Sequence, residues 1–167
     1  MKGATTVKIA LAIIVAAALC HGVCVAENPP QGKAAQTNCV ATGGQEAVFK
    51  QKITELMTQK EWQWVDFGGK NGVMVEVARP SDSDNEHLNV TIVGPDPFLD
   101  SPEIALAKMG IPMPKEWKMT EWPLETTGEF SIPKADVDKL PAFIHAVFLK
   151  CFKWQPDYTA TCAFGKP

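Results

Sequence analysis

Apolar residues recur at every second position through the middle of the chain. Val73, Val75 and Val77 fall on one side of Met74 and Glu76, and Leu88, Val90 and Ile92 alternate with Asn89 and Thr91. Period two is the signature of a strand with one buried face. Trp62-Gln-Trp-Val-Asp-Phe67 precedes these runs, and Gly68-Gly-Lys-Asn-Gly72 supplies a turn between the first two strands. The pattern predicts a three-stranded antiparallel meander over 62–93, covered on one side only. On the first strand Trp62 and Trp64 share a face, opposite Val65 and Phe67.

Helical periods flank the meander. Phe49, Ile53 and Leu56, widened by Val48 and Met57, form an apolar stripe against Lys50, Lys52 and Glu55. The run Thr42-Gly-Gly-Gln45 predicts a capping box for that helix, which extends to about residue 60. Ser101-Pro102 opens a short helix and Gly110 closes it. Residues 116–123 alternate Trp117, Met119 and Glu121 with Lys118, Thr120 and Trp122, which predicts a strand, and 130–132 a second, shorter one. Leu140, Ile144, Val147 and Cys151 mark a long final helix over 134–152. Residues 155–167 show no periodicity and read as a tail. The predicted fold is α+β, an antiparallel sheet of about five strands packed on one side by N- and C-terminal helices. Its order is α-β-β-β-α-β(-β)-α, in a single domain over 42–154.

The N-terminus alters the cellular setting. Lys2 and Lys8 precede the apolar run 9–19, and Cys24-Val-Ala26 offers small residues for cleavage. This predicts a signal peptide over 1–26, a flexible leader over 27–41, and an exported chain, periplasmic or extracellular, with no membrane attachment after cleavage near Ala26. Removing Lys2 and Lys8 takes the basic count from 16 to 14 against 19 acids, a net charge near −5. With no basic run or face, nucleic acid and anionic membranes are poor partners.

Candidate chemistry is sparse. Cys39, Cys151 and Cys162 remain after cleavage. An oxidising compartment allows a Cys39–Cys162 bridge tying the two ends of the domain, with Cys151–Cys162 as the alternative. The spacing fits no zinc site. His87 and His145 have no nucleophile beside them in a recognisable motif, and Asp82-Ser-Asp-Asn-Glu86 lacks the glycine and distal glutamate of a calcium loop. The reading is therefore non-enzymatic, without metal or cofactor. Trp62, Trp64, Trp117, Trp122 and Trp154 are many for this length. Large aromatics anchor protein interfaces, and Trp64 and Trp117, followed by Trp62 and Trp122, are the candidate partner-binding residues.

One family shares this arrangement of residues. The strand Leu88-Asn-Val-Thr-Ile-Val-Gly94 leads to Pro97-Phe-Leu99 and a helix ending Ala105-Leu-Ala-Lys-Met-Gly-Ile-Pro112. A tryptophan-bearing strand then precedes a final helix ending Val147-Phe-Leu-Lys-Cys-Phe152. Over 49–152 the chain resembles the TY-Chap domain, a family related in fold to type III secretion chaperones. The resemblance implies a peptide- or protein-binding module. The chain departs from cytoplasmic chaperones of that kind in its export signal. The expected function is thus a secreted binding domain, monomeric or homodimeric. A structural, self-assembling protein is the alternative, and an unrecognised hydrolase ranks below both.

Overall fold

A computed structural model describes residues 37–38, 44–80, 86–94, 100–111, 113–121 and 128–166, all within the unit Gly32–Pro167. Seven strands are present among them: β1 (Thr37–Asn38), β2 (Trp64–Gly68), β3 (Met74–Ala78), β4 (His87–Val93), β5 (Lys118–Glu121), β6 (Gly128–Pro133) and β7 (Thr161–Gly165). They form one sheet in the order β1-β7-β2-β3-β4-β6-β5, with every neighbouring pair antiparallel. The meander β2–β3–β4 sits at its centre, within the span 62–93 that the alternation predicts. The α+β class holds, with more strands than the sequence indicates.

Both extra strands come from segments that read as unstructured. β7 lies in the predicted tail and inserts beside β2, pairing Phe67 with Cys162 and Val65 with Phe164. β1 lies in the predicted leader and pairs Thr37 with Cys162. Neither stretch carries a run of alternating apolar residues long enough to betray a strand.

Three α-helices, α1 (Gln45–Thr58), α2 (Pro102–Lys108) and α3 (Leu140–Ala146), cover one face of the sheet. Their apolar stripes join the inward residues of the strands in a single core. Phe49 of α1 stands at its centre, 4.8 Å edge-on from Phe67 and 5.9 Å stacked from Phe148. Ile144 is fully buried there, on the face of α3 that its spacing assigns.

The helix ends depart from the sequence reading in instructive ways. Gly44, at φ 82, holds the N-cap position of α1 with no side-chain capping bond, in place of the expected capping box. Thr42 lies outside the described residues, and the Gln45 amide oxygen accepts from the backbone N–H of Ala160 at 3.3 Å instead of turning back on its own helix. At the other end of α1 the Arg79 guanidinium donates to the carbonyls of Leu56 and, at 3.0 Å, Gln59, satisfying acceptors that a helix C-terminus leaves open. Ser101 does hold the N-cap position of α2, with Pro102 behind it, but its hydroxyl makes no capping bond. Gly110 closes α2 at φ 71: Ile111 N–H donates to Leu106 O and Gly110 N–H to Ala107 O, both at 2.9 Å. This is the Schellman pattern, sealed by burial of Ile111 against the core.

The predicted single helix over 134–152 is three pieces. A 3₁₀ stretch, Lys134–Lys139, precedes α3 because Pro141 fits only the first turn of an α-helix. Past α3 the coil widens to π geometry over Val147–Cys151, where Phe152 N–H reaches Val147 O at 3.2 Å. The chain then reverses at Lys153, φ 55, and delivers Trp154 onto Gly69, where any Cβ would lie 1.5 Å from the indole.

The open face of the sheet as candidate functional site

The described helices all pack on one side, and no described helix covers the opposite side of the strands. Two rows of residues cross it in register. One runs Gly165, Trp64, Ala78, Asn89, Ser131, Lys118; the other runs Ala163, Asp66, Glu76, Thr91, Glu129, Glu121. Trp64 is half-buried, and a Cβ at Gly165 would fall 1.8 Å from its ring. The indole therefore lies against the glycine backbone and is held in one pose. Beside it on the same strand comes Asp66.

Asp66 and Glu76 are direct cross-strand neighbours. In the same ladder Arg79 N–H donates to Gln63 O at 2.9 Å and Gly69 N–H to Val73 O at 3.1 Å. The hydrogen-bonded pairs are thus the odd-numbered ones, and 66 opposite 76 is a non-hydrogen-bonded pair, in which side chains approach most closely. Both carboxyls are more than half withdrawn from water, and Asp66 Oδ1 is buried with no hydrogen-bond partner. Burial first, then the Asp66 charge and a hydrogen bond to Asp66, then Glu129, push the Glu76 carboxyl up to about 7. Asp66 is also raised, by burial, against the opposing effect of its bond to Glu76.

The tryptophans proposed as anchors have separate fates. Trp62 does not share the face of Trp64: it precedes β2 and turns to the helix side. There it stacks on Phe164 at 5.1 Å and donates to Gln59 Oε1 at 2.8 Å, with Lys166 Nζ 4.9 Å from its ring. Trp117 is core, 5% exposed. It is edge-on to Phe143 at 5.0 Å, and its Nε1–H donates to Asp136 Oδ2 at 3.0 Å. Lys139 and then that indole hold the Asp136 carboxyl below its usual value. A side chain so enclosed has no area to offer a partner, which corrects the surface role expected of Trp117. Trp122 lies outside the described residues. Of the three described tryptophans among these candidates, Trp64 is the one on the open face.

Cys151 is a free thiol, pushed up to about 11 by burial, which removes the Cys151–Cys162 pairing. Cys39 lies outside the described residues. His145 Nδ1 is 2.9 Å from the Tyr158 hydroxyl, the two rings stacked at 5.6 Å, so it is engaged in packing. Among the described residues no three His, Cys, Asp or Glu side chains are arranged to hold a metal ion. A hollow of about 210 Å³ on the helix side is floored by Ile111, Trp117 and Phe143, all nearly buried, so it presents little surface.

The sequence pattern alone does not single out Asp66, Glu76 and Glu129. Their period-two positions put each of them on the wet face, but their alignment across strands is a matter of register. No family model, curated protein or solved structure matches the chain.

Proposed function

We propose that this chain is an exported, non-enzymatic domain that binds a peptide or protein on the open face of its sheet. The likeness to TY-Chap domains drawn from 49–152 belongs to this proposal. The observation that carries it is the one-sided packing, which leaves a wide sheet surface with a large aromatic, Trp64, fixed on it. Immobilising an aromatic in advance removes an ordering cost from binding. Mature protein beginning at Glu27, and a Cys39–Cys162 bridge fastening the first strand to the last, complete the proposal. Peptide mapping without reductant tests the bridge.

The binding test compares the wild-type chain with Trp64→Ala against a partner recovered from the exported fraction. Loss of an anchor weakens binding roughly thirtyfold, about 2 kcal/mol, with the thermal melt retained. Equal affinity of the two proteins would rule out this face. A homodimer through the same surface is the second reading. Packing two such faces together would enclose their carboxylate rows, which disfavours it; light scattering of the purified chain decides. No observation favours a hydrolase.

A further inference from the structure

We infer that Asp66 and Glu76 act as one acid holding a single shared proton, so that the open face gains negative charge, and the β2–β3 pair loses stability, when that proton leaves. The grounds are geometric. The two carboxyls face each other at a non-hydrogen-bonded position of the ladder, where two like charges are destabilising. Asp66 Oδ1 is buried without a donor, and an ionised oxygen in that position carries a desolvation cost that a proton on the pair relieves. The flanking positions in the row are Ala163 on β7 and Thr91 on β4, neither of which carries a compensating charge.

Among the described residues the other titratable or charged groups on this side are few. Glu129 on β6 continues the same row, and its charge opposes ionisation of Glu76. Lys118 pairs with Ser131 in the next row, and His87 begins β4 opposite Pro133. Among the described residues no helix packs against this face, and the groups facing the pair come from the strands. The upward displacement of Glu76 to about 7 agrees with that arrangement, and places loss of the proton near neutrality. Two close carboxyls titrate as a unit, with one proton leaving early and the other late. The inference holds whether or not the face takes a partner.

Carboxyl ¹³C NMR of the full chain over pH 3–9 tests it directly. The expected result is two coupled resonances, one step in the acid range and a second with its midpoint near neutrality, both assigned through loss in Glu76→Gln and Asp66→Asn. In Glu76→Gln the remaining Asp66 carboxyl should show a single step. Should both wild-type carboxyls finish titrating below pH 5, the shared proton does not exist. The wild-type spectra alone decide this, even if a variant fails to fold.

Discussion

The two faces of this sheet are built from the same strands yet obey different rules. On the helix side Val65, Phe67, Val75, Val77, Leu88, Val90, Ile92, Phe130 and Ile132 are all fully buried. Their contacts are interchangeable in kind, because each stabilises by removing apolar area from water, about 25 cal/mol per Å². On the open side Trp64, Asp66, Glu76, Thr91 and Glu129 are all half-buried, and specific pairings decide the outcome: an indole on a glycine, a carboxyl against a carboxyl. The difference is one of tolerance. A one-residue change inside the core is felt wherever it is made, whereas on the open side its effect depends on which cross-strand neighbour it meets.

The contrast is broken most sharply from the core side. Ile144→Asp puts an unpaired charge at a fully buried position, and a loss of more than about 4 kcal/mol is expected, enough to abolish a cooperative melt. A melting temperature unchanged by this substitution would mean that α3 presents another face. Trp117→Ala removes a buried indole and the hydrogen bond it donates to Asp136 Oδ2; denaturant titration should show a loss of about 3–5 kcal/mol. Trp64→Ala removes an aromatic of similar size from the open side, and the same titration should register only about 1 kcal/mol. Similar losses for the two tryptophans would erase the distinction between the faces.

The smallest effect expected is the one that depends on pH. The folded-state value of Glu76 lies above its unfolded value of 4.5, so the folded chain holds the extra proton. Its contribution to stability is complete below pH 4.5 and is lost as the pH rises through about 7. Wild-type stability should therefore fall across that window. Glu76→Gln, which mimics the protonated side chain, should be flatter, matching wild type at low pH and exceeding it by about 1 kcal/mol above neutrality once solvent screening is allowed for. Parallel curves for the two proteins would show that Glu76 titrates normally in the fold.

The sequence by itself determined which side of most elements is buried. Period-two and helical spacing record the local burial of each residue in turn, and this placed Val75, Leu88, Ile53 and Ile144 correctly. It also placed the stop of α2 at Gly110. Tertiary structure alone decided what depends on two distant segments meeting. Thr161–Gly165 becomes a strand because β2 offers it a free edge, and not because its own five residues alternate strongly. Trp117 enters the core because Phe143 and Asp136 enclose it, while Trp62 and Trp64, two residues apart, part company because the strand begins only at the second of them. Asp66 and Glu76 are ordinary polar residues in the chain and a coupled pair in the fold, since register is a relation between strands. A local pattern reports on the burial of one residue at a time; the charge and shape of the open face belong to pairs.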